Sequence, residues 1–503
     1  MRRLPEYPLR AAGAALALGL LSVLAFAPVG AFPLLFLTLG GLVVLLEDAR
    51  QTRSAQRGAW IGGAFGFALF VGGVSWIYVS LSTFGSMPPL LAGLSTVLFC
   101  AFLALYPALT GALYARFAPE SPWQRGLFFA SLWVLSEWLR GWLFTGFPWL
   151  AVGYSQTPPS PLAGFAPILG VYGVSALTAS LAALAGLAFV AWHRRGLAAV
   201  VRAHLVPIAL VLVAGGLLRE TSWTQAIDAP IRVSLLQGNI PQELKWRPEW
   251  FTESLRTYHR LADDNPAQLT ILPETAIPAF LNQLPAGYLD ALRALALREN
   301  GELILGVATG NSASYANSAL AIGASGTQRY DKHHLVPFGE FVPPGFRWLM
   351  SLAQIPMSDF RPGAARQAPL NVGTLKVAAN ICYEDAFGEE IIRSLPEAQL
   401  LVNLSNVAWF GDSLAPAQHL QIAQMRALET GRMMLRATNT GMTAIIASDG
   451  SVIGKLPPFT RGALRGEVRA YAGSTPFVQG GNLPIVVLSA LCVAFLRRRN
   501  TVS

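Results

Sequence analysis

Apolar residues follow two different rhythms along this chain. From Leu9 to Phe26, Phe32 to Leu46, Ala59 to Val79, Leu90 to Tyr114, Leu127 to Phe144, Phe165 to Trp192 and Leu205 to Leu218 they form near-continuous blocks, and an eighth block runs from Phe477 to Leu496. A helix needs about 20 predominantly apolar residues to cross the hydrocarbon core of a bilayer, so the blocks predict eight transmembrane helices, the seventh being the shortest. The first block, behind MRRLPEYPLR, also fits a cleaved signal peptide. A retained span is preferred, because apolar residues resume at Phe32. Between the seventh and eighth blocks the rhythm shortens. IRVSLLQGN, LTILPE, ELILGVAT, LKVAANICYE, QLLVNLSN and AIIASDG are brief, often β-branched runs, separated in places by helical stretches such as AGYLDALRALALREN and APAQHLQIAQMRALETGR. That alternation predicts an α/β sandwich. The expected organisation is a seven-helix membrane domain over 1–220, an α/β domain over 221–476, and an eighth helix with its tail over 477–503.

Composition agrees with a membrane protein. Hydrophobic residues make up 53% of the 503 and charged ones 13%, against roughly 25% charged in soluble domains. Arginine collects before the first block, between the second and third, fourth and fifth, and sixth and seventh, and after the eighth, while alternate loops such as SLSTFGSMPP carry no Lys or Arg. By the positive-inside rule both ends face the cytoplasm and the 221–476 domain lies outside. The net charge of +9 is largely this arginine, so no nucleic-acid partner is expected. Of the three cysteines, Cys100 and Cys492 fall inside apolar blocks, leaving Cys382 as the one thiol of the exported domain. An unpaired cysteine there points to a reactive group.

Chemistry concentrates where apolar runs end in polar groups. Glu274 in LPET and Cys382 in ICYED each end such a run, as does NLSN, and Lys332 in YDKHHLVPFGE stands between them in the chain. A carboxylate can take a thiol proton, the thiolate can attack an ester or amide carbonyl, and an ammonium can stabilise the oxyanion that develops. Spacing alone leaves the commoner reading open, in which a strand-end cysteine is a small buried hydrophobe. His333 and His334 are adjacent, so their side chains diverge on extended chain, and no metal or other cofactor is expected. Met425, Met433 and Met434 read as core. Glu137 and Arg140 sit three apart within the fifth block, on one helix face, as either an ion pair or a functional site. Gly339 to Arg361 is rich in Phe, Trp, Met, Pro and Gly and reads either as core or as an arm that dips aromatics into the membrane surface.

Longer stretches carry a resemblance. LLQGNIPQELKW, LPETAIP, DKHHLVPFGEFVP, NICYED, NVAWFGDSLAPAQHLQIAQMRALETGR and RATNTGMTA, with EWLRGWLFTGFPWLAVGYSQ after the fifth block, occur in this order. The exported segment resembles the carbon-nitrogen hydrolase (nitrilase) superfamily, and the whole chain is similar to the apolipoprotein N-acyltransferase family. The resemblance implies an αββα nitrilase-like sandwich with Glu274 as general base, Lys332 as oxyanion-stabilising lysine and Cys382 as nucleophile. It further implies supporting roles for Glu340, Tyr383 and Glu384, and a place near the substrate for Trp246, Phe341, Phe346 and Trp348. The implied reaction is ping-pong acyl transfer through a thioester, from a membrane phospholipid to the α-amino group of a diacylglyceryl apolipoprotein. The enzyme would be a monomer of the bacterial inner membrane with its catalytic domain on the periplasmic side. Rival classes are a membrane-tethered amidase and a transporter carrying an inactive binding module.

Overall fold

The computed structural model describes residues 6–195, 204–343 and 359–497. The chain divides into two compact units: residues 1–78, 90–221 and 480–503 form one, and 79–89 with 222–479 the other.

In the first unit, helices stand in all eight apolar blocks: α1 (Glu6–Ser22), α2 (Leu34–Gln51), α3 (Ala55–Val74), α4 (Pro89–Phe117), α5 (Pro122–Arg140), α6 (Ala166–Arg195), α7 (Val206–Arg219) and, after the second unit, Leu483–Leu496. Three stretches, Ala55–Val74, Pro89–Phe117 and Pro161–Trp192, are long and apolar enough by themselves to cross a membrane. Among the described residues the other helices do not meet that measure of length and composition on their own, for physical reasons. α2 carries Glu47, Asp48 and Arg50, and α5 carries Arg125, Glu137 and Arg140, while α1, α7 and the last helix have 17, 14 and 14 residues. Small residues let the helices approach closely. A Cβ on Gly58 or on Gly62 would lie 2.2 Å from the carbonyl oxygen of Gly111 or Pro107, respectively. Two of the interfacial arginines are not solvated: Arg50 and Arg125 both pair with Glu47, which also accepts from the Tyr114 hydroxyl at 2.7 Å. Of the two readings of Glu137 and Arg140, the structure shows neither a bare ion pair nor an assigned function: both side chains hold backbone, and Glu137 also holds an indole. Glu137 Oε1 accepts from the Val152 N–H and the Trp133 indole, both at 2.8 Å, and Arg140 donates to the carbonyls of Phe147 and Trp149. Together they hold the irregular GFPWLAVGYSQ segment against α5.

The second unit is a two-sheet sandwich. One sheet contains β1 (Thr224–Gln237), β2 (Leu269–Ile271), β3 (Ile277–Phe280), β4 (Glu302–Asn311), β5 (Ser314–Gly323), β6 (Gly326–Asp331) and β13 (Gly462–Gly473), ordered β13-β1-β2-β4-β5-β6 with β3 beside β4. The other contains β7 (Leu370–Val372), β8 (Leu375–Ile381), β9 (Leu400–Ser405), β10 (Met434–Thr438), β11 (Ala444–Ile446) and β12 (Val452–Lys455), ordered β12-β11-β10-β9-β8-β7. Side chains alternate between faces along each strand, and the cores record it. Ile304, Val377, Ala379, Leu400, Val402 and Leu435 meet between the sheets. Their neighbours Leu303 and Leu305 turn outward with Leu255 and Leu292, from helices α8 (Pro248–Asp264) and α9 (Tyr288–Arg298). Ala378, Leu401 and Met434 turn outward with Leu420, Ala423 and Ala427 of α10 (Ala415–Thr430). The result is an αββα stack. Met433 and Met434 show the same alternation, one in the inter-sheet core and one beneath α10, and Met425 is buried as well.

Strand direction decides which residues meet. β1, β2 and β4 are parallel, and β6 lies two antiparallel steps beyond β4, so β2, β4 and β6 all run the same way. β8, β9 and β10 are mutually parallel in the second sheet. The segments after β2, β6, β8 and β9 carry Glu274, Lys332, Cys382 and Asn406. The loop of residues 79–89 belongs to this unit too, with Phe84 edge-on to Trp409 at 6.0 Å.

Candidate active site

Lys332 begins directly after β6, anchored by its N–H to the Asn317 carbonyl at 2.8 Å. Its side chain is 1% exposed, and its Nζ lies 2.8 Å from Glu340 Oε2 and 3.4 Å from Glu274 Oε1. Asn317, on β5, donates from one amide nitrogen to both carboxylates, at 2.7 Å to Glu274 and 2.9 Å to Glu340. Glu274 is completed by the Asn406 N–H at 2.8 Å and Glu340 by the Val336 N–H at 2.9 Å. Every lone-pair direction used by these acids is thus set by a fixed donor, which preorganises the cluster. Space is tight behind Glu274: a Cβ on Gly306 of β4 would fall 2.6 Å from the Glu274 Cα.

Cys382 sits where β8 gives way to a short 3-10 turn, Cys382–Ala386, with φ of 54°. A left-handed backbone costs a non-glycine residue about 1–3 kcal/mol and persists only where the surroundings over-determine it. Burial pushes its thiol well above the ordinary thiol range; Glu274 and Glu340 add to this, and Lys332 and Arg436 oppose it. Burial acts against the Lys332 ammonium, but Glu340, Glu274 and Cys382 more than offset it and raise its pKa. The resting cluster therefore pairs a neutral thiol with a firmly held cation and two acids. Such a set can deprotonate sulfur only as it attacks, and can meet a developing oxyanion with positive charge.

The other expected residues divide. Glu384 is buried beneath the turn: it accepts from the N–H groups of His333 (2.7 Å), His334 (3.1 Å) and Ile381 (2.6 Å) and from the Tyr330 hydroxyl. It ties the lysine segment to the cysteine turn. Tyr383 packs edge-on to Phe387 at 5.1 Å, and His334 stacks on Phe387 at 3.7 Å. Trp246 is half-buried at the end of the turn Gln242–Lys245, its indole N–H buried and without a partner among the described residues. Phe341 is half-buried and follows Glu340, its carbonyl accepting from the Phe338 N–H. Phe346 and Trp348, with most of the Gly339 to Arg361 arm, lie outside the described residues.

Sequence reading passed over several residues of this site. Lys245, beside Trp246, is 2% exposed and donates to Thr275 Oγ1 at 2.9 Å and towards the Glu274 carbonyl at 3.5 Å. Burial lowers its pKa to about 7, against the pull of Glu274. It steadies a turn in which Thr275 has φ of 44°. The signal was a lysine inside an otherwise apolar and amide-rich stretch, LLQGNIPQELKW. Asn317 and Asn406 gave no comparable signal, since asparagine near strand ends is commonplace.

Comparison with known proteins follows the two units. A family described as "Apolipoprotein N-acyltransferase N-terminal domain" matches residues 18–184, and "Carbon-nitrogen hydrolase" matches residues 232–477. The chain is 46% identical to an apolipoprotein N-acyltransferase of Nitrosomonas europaea over 97% of this chain and 98% of that one. It is 45% identical to one of Ralstonia nicotianae over 97% and 94%. Among solved structures, a carbon-nitrogen hydrolase superfamily protein of Xanthomonas campestris aligns with 52% of this chain and 97% of its own, at 18% identity and a TM-score of 0.36. With near-complete coverage at such identity, and with both family matches in order, the chain belongs to the apolipoprotein N-acyltransferases.

Proposed function

We propose that this protein moves a fatty acyl chain from a membrane phospholipid, by way of a thioester on Cys382, to the α-amino group of the diacylglyceryl-cysteine that begins an apolipoprotein. The observation that carries the reading is the Glu274–Lys332–Glu340 cluster next to a strained cysteine, in a chain with helices apolar enough to cross a membrane. In the first half-reaction Glu274 takes the proton from Sγ as sulfur attacks the ester carbonyl carbon, and the carbonyl oxygen becomes an oxyanion facing Lys332. Collapse breaks the C–O bond. The departing lysophospholipid oxygen takes the proton from Glu274, leaving an acyl thioester. In the second half-reaction the acceptor amine attacks that thioester and loses its proton to Glu274. Collapse breaks the C–S bond, the proton returns to sulfur, and the product is an amide. Glu340 keeps Lys332 charged and in place throughout, and Glu384 holds the cysteine turn. Trp246 and Phe341, with Phe346 and Trp348, are our candidates for apolar contact with the acyl chains.

All eight helices are assigned to the inner membrane, with the sandwich on the periplasmic side. The arginine pattern supports this, as does the grouping of the arginine-free 79–89 loop with the sandwich. A reporter active only outside the cytoplasm should then be on after Glu220 and off after Arg499; the reverse pair contradicts the orientation. The chemistry is tested by the fate of the acyl group. Enzyme loaded from phospholipid and chased with a diacylglyceryl-cysteine peptide should lose its thioester as the peptide gains an amide-linked chain. Free fatty acid as the sole product would make the protein a hydrolase.

A further inference from the structure

Behind Cys382, on the side of β9, β10 and α10, lies a polar cluster that the reaction above does not use. Asp385, Asn403 and Arg436 are 0% exposed and His419 is 1% exposed. Arg436 Nη1 donates to Asp385 Oδ2 at 2.9 Å and to Asn403 Oδ1 at 2.8 Å. Asn403 Oδ1 also accepts from the Ser405 hydroxyl at 2.5 Å, which leaves its Nδ2 to donate to Asn380 Oδ1 at 2.6 Å and to the carbonyl of Cys382 at 3.1 Å. His419 Nε2 lies 2.6 Å from Asp385 Oδ1 and 3.2 Å from that same Cys382 carbonyl. Both of its neighbours are acceptors, so Nε2 must carry the proton. Burial and the Arg436 cation lower the His419 pKa against the pull of Asp385, which suits a neutral donor. Two side chains thus converge on one backbone oxygen, that of a residue with φ of 54°.

The consequence is geometric. In a trans peptide the C=O and the N–H point in opposite directions. Clamping the Cys382 carbonyl therefore also sets the direction of the Tyr383 N–H. At a sharp strand-to-helix turn, the N–H after the nucleophile is well placed to receive an oxyanion. We propose that His419, Asn403, Asp385 and Arg436 are positioning residues that clamp the carbonyl of Cys382 and so aim the Tyr383 N–H at the oxygen of the acyl group on Sγ. His419 and Asn403 hold the oxygen; Asp385 and Arg436 hold the holders. This rests on Cys382 being the acylated residue.

The test separates chemistry that needs an oxyanion site from chemistry that does not. In the full-length protein in detergent, thioester formation from phospholipid passes through an oxyanion, whereas alkylation of Cys382 by iodoacetamide is substitution at a saturated carbon. His419→Leu should slow thioester formation about 10- to 100-fold, less than the roughly 100- to 1000-fold of removing an oxyanion donor outright because the N–H is misaimed and not lost, while alkylation stays within about threefold of wild type. His419→Gln, which puts an amide N–H near the position of Nε2, should restore most of the rate. If the leucine protein does not fold, His419→Asn, whose amide stops short of the carbonyl, should show the same split. Equal slowing of both reactions would mean that the cluster merely keeps the turn folded, and no slowing of either would mean that the carbonyl needs no clamp. Wild-type protein that forms no thioester would overturn the proposed function and the clamp's role together, whereas failure of the clamp alone would show as a thioester formed by wild type and all His419 variants at the same rate.

Discussion

At the residue scale, Glu274 is our proposed acceptor for the proton of the buried Cys382 thiol, and the pH dependence of alkylation should show it. Because burial and both acids push the thiol up, sulfur is protonated at neutral pH and gains reactivity only by giving its proton away. In the wild type that proton can pass to Glu274 without leaving the protein, so alkylation of Cys382 should vary little with pH around neutrality. In Glu274→Gln the proton must go to solvent, and the rate should climb close to tenfold per pH unit while the thiol stays mostly protonated. Replacing the acid also removes a charge that raises the thiol pKa, so the absolute rate at one pH is a poor guide and the slope is the measurement. Identical slopes would remove Glu274 from the role of base. Glu274 and Cys382 were legible in the sequence because each ends an apolar run, and such runs predict strands; Lys332 follows the polar strand GTQRYD and was legible only through the resemblance carried by DKHHLVPFGEFVP. Lys245, Asn317, His419 and Arg436 were not, because their meaning comes from partners 23 to 51 positions away in sequence, the longest being between Arg436 and Asp385. No local pattern carries that pairing.

At the scale of elements, the site depends on how closely β4 backs the Glu274 turn. Gly306 pairs with Ala319 of β5 on one side, and its missing Cβ leaves room for Pro273, Glu274 and Thr275 on the other, where the nearest atoms would be 2.5 to 2.6 Å away. The obstructing atoms are backbone, so they cannot swing aside as a side-chain tip would. Gly306→Ala should therefore displace the turn, costing about 1–3 kcal/mol of stability by overpacking and at least tenfold in thioester formation, because Glu274 moves with its backbone. Denaturant unfolding and acylation kinetics read the two effects; a variant that acylates at the wild-type rate would show that the turn has slack. Strand alternation was readable in advance here, since ELILGVAT and QLLVNLSN supply apolar residues to both faces. The β6 to β8 geometry was harder to foresee, because β6 reaches its direction only through two antiparallel steps. Helix polarity was hard to foresee: Arg50, expected between the second and third blocks, lies on α2 itself, where it pairs with Glu47.

For the whole molecule, two kinds of apolar surface serve two tasks. The helical unit joins its members through glycine contacts and a few buried ion pairs, while the sandwich builds an apolar inter-sheet core and gathers fixed polar groups around the turns that follow β2, β6 and β8. That division suits the proposed reaction, in which donor and acceptor are both lipids but bond-making needs fixed charges. The most direct test is the mass of the peptide containing Cys382 after the purified full-length protein meets phospholipid and no acceptor. Acyl transfer through this residue predicts an increase equal to one fatty acyl group, removed by neutral hydroxylamine and absent in Cys382→Ala, whose melting temperature stays within a few degrees of wild type. An acyl group found elsewhere, or transfer to a diacylglyceryl-cysteine peptide that persists in Cys382→Ala, would contradict it.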